Sequence, residues 1–104
     1  MKLYFYILKE PYNGKPFIQF EECEAEEETN AYWLHVYPRD FYYGQIRKEN
    51  IGKRIGYAVV LLEKDDSLAR SIFAETINKK ISDEEKTVEW LREQLEAVEK
   101  GEIQ

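Results

Sequence analysis

The apolar residues of this chain change their spacing at Asp65, and that change limits the folds available to it. Before Asp65 they come in short runs of β-branched and aromatic residues, which are typical of β-strands. After Asp65 they recur every three or four residues, as on one face of an α-helix. Because all the strands precede the helical part, the order favours an α+β fold with an antiparallel sheet. For 104 residues we expect one domain, with the sheet in residues 1–64 and the helical part in residues 65–101.

Four or five strands are predicted before the helical part. The clearest cover residues 2–9, 17–25, 31–37 and 55–64, and a further candidate covers residues 41–47. Asn13-Gly14, the dipeptide most typical of hairpin turns, lies between the first two strands. Alternation gives the sheet one aliphatic face, with Leu3, Phe5 and Ile7, and a second face rich in Tyr and Trp. We expect the helical part to cover the aliphatic face.

The helical part allows two interpretations around Ser82. A broad apolar stripe over residues 67–81 predicts a helix that packs on the sheet, with acidic cap residues directly before it. Ser82 and Glu85 then form a capping box, which would begin a second helix. No glycine or proline stops the first helix before Ser82, however. We therefore favour one long helix over residues 67–100, with a break near Ser82 as the alternative.

A narrow apolar seam runs through the last part of this predicted helix. It has the spacing of a coiled coil and consists of Ile81, Val88, Leu91, Leu95 and Val98. A continuous helix would be about 50 Å long at 1.5 Å per residue. The rest of the chain forms a body only about 30 Å across, so the helix end would overhang it. An exposed seam on that overhang predicts a homodimer in which two copies bury it against each other.

Charge is distributed unevenly along the chain. The net charge is −6, and the acidic excess is concentrated in residues 82–104 and in the run 21–28. Acidic surface disfavours nucleic acid, whose phosphates need basic partners, and favours a protein partner with a basic surface. The apolar run at residues 3–8 is too short for a signal peptide or a membrane span. The single cysteine forms no internal disulfide and suits a reducing compartment, so we expect a cytoplasmic protein without membrane contact.

Few side chains offer catalytic or metal-binding chemistry. His35 is the only histidine, and strand alternation places aromatic residues beside it instead of an acid or a nucleophile. Cys23 lies among glutamates, which disfavour its thiolate. One cysteine and one histidine exclude a zinc site of the usual composition, and the acidic run lacks the glycine of a calcium loop. No glycine-rich phosphate loop occurs either. We therefore expect no enzymatic activity, no metal and no cofactor.

The strongest candidate for function is a surface that combines aromatic and acidic residues. Tyr and Trp are enriched at protein interfaces because they bury large areas while keeping a polar atom. The predicted interaction surface consists of Tyr4, Tyr6, Trp33, His35, Tyr37, Glu24, Glu26, Glu27 and Glu28. It predicts a non-enzymatic protein-binding protein. Two alternatives stay open: a small-ligand or nucleotide-binding domain that uses tyrosines with Arg47 and Lys48, and a purely structural oligomer.

Two short segments resemble stretches of a group of phage proteins. Residues 26–32 (EEETNAY) and 46–52 (IRKENIG) are similar to segments of small uncharacterised proteins from phages and prophages of low-GC Gram-positive bacteria. In those proteins an acidic segment also leads into a strand, and a basic turn precedes an apolar strand and a long charged helix. The resemblance implies no activity and no site residues. It implies a mobile-element accessory protein, a class that includes host-defence inhibitors acting by binding.

Overall fold

The computed structural model describes residues 1–36, 38, 41, 43–83 and 88–104. In these parts of the chain the strands come first and the helices follow, which confirms the predicted α+β fold. The strands are β1 (Lys2–Lys9), β2 (Phe17–Glu27), β3 (Ala31–Leu34), β4 (Gln45–Arg47), β5 (Arg54–Ile55) and β6 (Ala58–Leu61). A 3₁₀ turn, Lys48–Asn50, connects β4 to β5. The helices are α1 (Asp66–Asp83) and α2 (Val88–Lys100).

The six strands form one antiparallel sheet in the order β4-β3-β2-β1-β6-β5. Its centre is the β1–β2 hairpin, in which Leu3 pairs with Cys23 and Lys9 pairs with Phe17. The long strand β2 pairs with β1 over most of its length and with β3 at its end. The sheet curls strongly enough that Ile46 of β4 and Val60 of β6 belong to the same core.

The predicted strand over residues 55–64 is confirmed only over Ala58–Leu61, because its beginning belongs to a hairpin. Arg54 pairs with Val59, and Ile55 pairs with Ala58, so the chain reverses at Gly56 and Tyr57. Gly56 has a φ of 58°, in the left-handed region that favours glycine. Among the residues that the structure describes, the sheet therefore has six strands and not the predicted four or five. A lone glycine inside an apolar run is compatible with an unbroken strand, which is why sequence reasoning missed the reversal.

Each face of the sheet is buried by a different part of the chain. The face with Leu3 and Phe5 packs inside the curl, where the Phe5 and Phe41 rings meet edge to face at 5.0 Å between centroids. The opposite face, with Tyr6 and Leu8, packs against the two helices. The helices therefore cover the aromatic face, and the prediction that they cover the aliphatic face is wrong. Alternation separates the two faces, but the curl of the sheet decides which face is left for the helices.

The long continuous helix is also wrong, and the alternative with a break near Ser82 describes the chain. α1 ends at Asp83 and α2 begins at Val88, and the two helices pack against each other. Arg70 of α1 joins them, because its Nη1 donates a hydrogen bond to the Val98 carbonyl oxygen at 2.9 Å. The break allows the apolar face of α2 to be buried on the body instead of overhanging in water. Neither described helix is long and apolar enough to cross a membrane.

Two caps fix the limits of this helical part. Asp65 is the N-cap of α1, as predicted, since its Oδ1 accepts a hydrogen bond from the Leu68 amide at 3.0 Å. Gly101 follows α2, and its amide donates to the Ala97 carbonyl at 3.0 Å. A Cβ atom at Gly101 would lie 2.5 Å from that oxygen, so the close approach requires glycine.

The residues after α2 return to the sheet and bind along β2. Ile103 forms a parallel bridge with Ile18. The Phe20 amide donates to the Gln104 carbonyl, and the Gln104 amide donates to the Ile18 carbonyl, both at 2.9 Å. This C-terminal clasp pairs with the first half of β2, whereas β3 pairs only with its last three residues.

Candidate functional site

The helices leave part of the aromatic face uncovered, over β3 and the adjoining half of β2. Trp33 projects from this part and is 44% exposed. The register pairs Trp33 with Glu26, and the His35 amide donates to the Glu24 carbonyl at 3.1 Å. Because side chains two apart on a strand share a face, five residues lie together here. We call them the Trp33 surface: Glu22, Glu24, Glu26, Trp33 and His35.

The carboxylates of the Trp33 surface are only loosely paired within the chain. Glu26 Oε2 lies 3.8 Å from His35 Nε2, Glu22 Oε2 lies 3.4 Å from Lys2 Nζ, and Glu24 Oε2 lies 3.7 Å from the Met1 amino group. The Glu24 and Glu26 side chains remain 56% and 72% exposed in these pairs. Exposed ion pairs of this kind contribute little to stability, so a partner can replace them at small cost.

The two tyrosines of the predicted interaction surface are not exposed with Trp33. Tyr6 is fully buried under α1, and its hydroxyl donates to Asp66 Oδ1 at 2.6 Å. Burial raises the Tyr6 pKa, and Asp66 raises it further. Tyr4 is half-buried and stacks on Phe20 at 6.2 Å between ring centroids. Placing Tyr6 on a binding surface was wrong, because α1 covers it, whereas Tyr4 pairs with Glu22 and borders the Trp33 surface.

The other predicted surface residues divide between two locations. Trp33, His35, Glu24 and Glu26 come together, and Glu22 joins them although sequence reasoning missed it. Glu27 faces away from Trp33, since it pairs with the buried Tyr32. Its carboxylate accepts a hydrogen bond from Lys48 Nζ at 2.6 Å. Glu28 is exposed just beyond the end of β2, and Tyr37 lies outside the described residues.

Four of the five residues of the predicted dimer seam pack against the core of the chain itself. Leu91 is 2% exposed and Val98 is fully buried. Ile81 and Leu95 pack against the same core, and Val88 begins α2. Apolar side chains that α1 and the sheet already cover are not available to a second copy. The exposed seam was therefore a wrong inference, and the homodimer stays a prediction without that support.

Cys23 is poorly suited to act as a nucleophile. Its side chain is buried, and burial, together with the nearby Glu21 carboxylate, raises the pKa of its thiol to about 11. A thiol with this pKa holds very little thiolate at neutral pH. Among the residues that the structure describes, no group of three or more His, Cys, Asp and Glu side chains is placed to hold a metal ion.

The basic residues Arg47 and Lys48 line a cleft of about 460 Å³, but carboxylates accompany both. Lys48 Nζ bonds to Glu27 and lies 5.4 Å from the centroid of the Tyr32 ring. Arg47 Nη1 lies 3.6 Å from Glu49 Oε1. An anionic ligand would have to displace a carboxylate from each cation, so this cleft is a weak site for a nucleotide.

A second basic cleft lies elsewhere, between the β5–β6 hairpin and the two helices. It has a volume of about 360 Å³, and its principal lining residues are Arg54, Tyr57, Thr76, Lys80, Trp90 and Gln94. Arg47 and Arg54 lie on β4 and β5, which are the two ends of the strand order, and they line different clefts.

Comparison with known proteins identifies no relative. No family model, no curated protein and no solved structure matches the chain.

Proposed function

We propose that this chain is a non-enzymatic protein-binding protein, which uses the Trp33 surface to hold a partner with a basic surface. One observation carries the proposal. An indole that is 44% exposed lies among glutamates on a part of the aromatic face that the helices leave open. Tryptophan is one of the three residue types, with tyrosine and arginine, that are enriched among the residues dominating protein interfaces.

The chemistry of the Trp33 surface favours arginine and lysine side chains in the partner. A cation above the indole is attracted by the negative face of the ring. Glu24 and Glu26 lie on the same face of the sheet and can pair with that charge or with its neighbours. The net charge of −6 adds a long-range attraction that speeds the approach of a basic partner.

The biological setting forms part of the same proposal. The buried free thiol of Cys23 fits a reducing compartment, and we place the protein in the cytoplasm. The resemblance of residues 26–32 and 46–52 to phage and prophage proteins suggests an accessory protein of a mobile element. An inhibitor of a host-defence protein would need no catalytic group, only a surface of this kind.

Affinity capture with matched tryptophan variants tests the proposal. The full-length protein, Trp33→Ala and Trp90→Ala serve as baits in a lysate of the natural host cell, and retained proteins are identified by mass spectrometry. Trp90 is the matched control, because it is 45% exposed but lies on α2. We expect one basic protein to be retained by the wild type and by Trp90→Ala and to be lost from Trp33→Ala.

The captured partner then allows a quantitative measurement with purified proteins. Truncation of a central interface tryptophan costs about 2 kcal/mol or more, so Trp33→Ala should weaken the affinity by about thirtyfold. Glu26→Gln should slow association and reduce its salt dependence, because it removes an exposed steering charge. A partner that is acidic, or that binds Trp33→Ala as tightly as the wild type, would refute the proposal.

A further inference from the structure

The cleft between the β5–β6 hairpin and the helices brings together groups that do not belong to the Trp33 surface. It contains the cations of Arg54 and Lys80, the rings of Tyr57 and Trp90, and the side-chain amide of Gln94. Its volume of about 360 Å³ lies within the range of small-molecule sites. Two cations beside two aromatic rings stand out in a chain with a net charge of −6.

The guanidinium of Arg54 is held in place by the protein before any ligand arrives. Its Nε donates to the Gly56 carbonyl at 2.8 Å, and its Nη1 donates to Thr76 Oγ1 at 3.0 Å. Its Cζ lies 5.4 Å from the centroid of the Phe73 ring and 5.9 Å from that of Tyr57. A guanidinium fixed on four sides loses little further freedom when it binds an anion.

Thr76 acts as a positioning residue for this group. Its hydroxyl donates to the Phe73 carbonyl at 2.9 Å, so its oxygen is left to accept from Arg54. The second N–H of Nη1 and both N–H groups of Nη2 have no acceptor among the described residues. Burial lowers the Arg54 pKa, which means that the cation lacks part of its solvation. An anion in the cleft would use the remaining donors and restore that lost stabilisation.

The rest of the lining suits a planar ring attached to the anion. Trp90 is 45% exposed and Tyr57 is 53% exposed, so both rings offer open surface at the cleft. Gln94 is only 2% exposed and also lines it. A carboxamide both donates and accepts hydrogen bonds, as the edge of a nucleobase does.

We propose that this cleft binds a nucleoside monophosphate. Arg54 and Lys80 hold the phosphate, Trp90 stacks on the base, and Gln94 bonds to the edge of the base. The volume of the cleft matches one nucleotide and not an oligonucleotide. This site is separate from the Trp33 surface, so nucleotide binding and protein binding can be tested independently of each other.

Glu10 allows a substitution that should strengthen nucleotide binding instead of weakening it. Its carboxylate interacts electrostatically with both Arg54 and Lys80, so it competes with a phosphate for the same two cations. Removing its charge with Glu10→Gln should therefore tighten nucleotide binding. A purely structural role for Arg54 predicts no such gain.

Fluorescence titration of Trp33→Phe, in which Trp90 is the remaining tryptophan, measures the binding. The probes are adenosine 5′-monophosphate, adenosine and inorganic phosphate. We expect saturable quenching of Trp90 by the monophosphate, with an affinity at least about tenfold above that of adenosine or phosphate, because both halves of the ligand contribute. No saturable quenching by the monophosphate, or equal affinity for all three probes, would overturn the proposal.

Charge variants in the same Trp33→Phe background identify the site. Lys80→Gln changes an exposed helix residue and should fold normally while weakening the monophosphate by about fivefold to tenfold. Glu10→Gln should strengthen it by a similar factor. Arg47→Gln is the matched control, since it removes one exposed positive charge from the other cleft. If Arg47→Gln weakens binding as much as Lys80→Gln does, the attraction is non-specific and the proposal fails.

Discussion

Replacing Tyr6 by Phe removes one hydroxyl from the contact between the sheet and α1. The Tyr6 hydroxyl donates to Asp66 Oδ1 at 2.6 Å, at the first turn of the helix. The ring itself is fully buried beside Phe20, with 5.1 Å between the centroids. Phenylalanine keeps this packing, so the substitution isolates the contribution of the hydrogen bond.

The cost of Tyr6→Phe follows from the surroundings of its acceptor. Hydrogen bonds to charged groups contribute about 1.5–3 kcal/mol to the free energy of unfolding. The Asp66 side chain is 44% exposed and has Lys64 Nζ at 3.7 Å, so water and that ammonium group partly replace the lost donor. We therefore expect a loss at the lower end of the range, about 1.5 kcal/mol at pH 7.

Alkaline pH should abolish this difference. The Tyr6 pKa is raised in the folded protein, above the value of about 10 that a tyrosine has in the unfolded chain. The unfolded chain therefore releases the Tyr6 proton first as the pH rises. The stabilisation is complete below pH 10, and above it the wild type loses about 1.4 kcal/mol per pH unit through this group. Tyr6→Phe has no such group, so the two proteins should be equally stable near about pH 11.

Urea unfolding followed by circular dichroism, at pH 7, 9, 10 and 11, measures both effects. Tyr12→Phe is the control, because Tyr12 is 99% exposed and its removal should leave the free energy of unfolding unchanged at every pH. Titration of the other tyrosines is common to both proteins and cancels in the difference. Equal stability of Tyr6→Phe and the wild type at pH 7, or a difference at pH 7 that persists at pH 11, would contradict a stabilising bond from Tyr6 to Asp66.

Three further predictions concern the core, a turn and the thiol. Leu91→Ala should lower the free energy of unfolding by about 3 kcal/mol, because Leu91 is buried. The control Glu93→Ala, on the exposed face of α2, should change it by less than about 0.5 kcal/mol. Urea unfolding measures both variants. Gly56→Ala should cost about 1 kcal/mol in the same assay, since Gly56 has a φ of 58°. Cys23 should react with iodoacetamide at pH 8 at least about tenfold more slowly in the native protein than in urea, and equal rates would contradict its burial and its raised pKa.

The central hairpin could be predicted almost residue by residue. Its signals are local: an Asn-Gly turn between two runs of strand-forming residues gave strands over 2–9 and 17–25, and the structure has Lys2–Lys9 and Phe17–Glu27. The signal for the start of α1 was equally local, because Asp65 is itself the N-cap and accepts from Leu68, three residues later. Such features depend on residues a few positions apart, and the sequence displays them directly.

The curl of the sheet and the break between the helices could not be predicted in this way. The alternation pattern predicted that a helix packs on the face with Leu3 and Phe5. Instead, Ile46 and Phe41, from later parts of the chain, join that core. The apolar seam of α2 read as an exposed dimer contact because a coiled coil and a helix packed on its own body have nearly the same spacing. The two structures differ in whether Leu91 packs against a second copy or against the core of its own chain.

The candidate sites also depend on long-range packing that the sequence does not display. Trp33 and Glu26 were both singled out, but their contact depends on the β2–β3 register, and Tyr6 was grouped with them although α1 covers it. The second cleft depends on Thr76 and Gln94, which carry no local signal of function. They become notable only because α1 packs against β5 and α2 packs against α1, which brings both residues to the cleft of Arg54.

The C-terminal clasp also bears on how the chain folds. The hydrogen bonds of Gln104 with Phe20 and Ile18 join positions separated by most of the sequence, and contacts of such high separation carry the largest entropic cost of closure. They can form only after the hairpin and both helices have brought the end of the chain back to β2. In pulse-labelling hydrogen exchange, the amides of Phe20 and Gln104 should therefore gain protection last, which makes this pair a residue-level marker for completion of the fold.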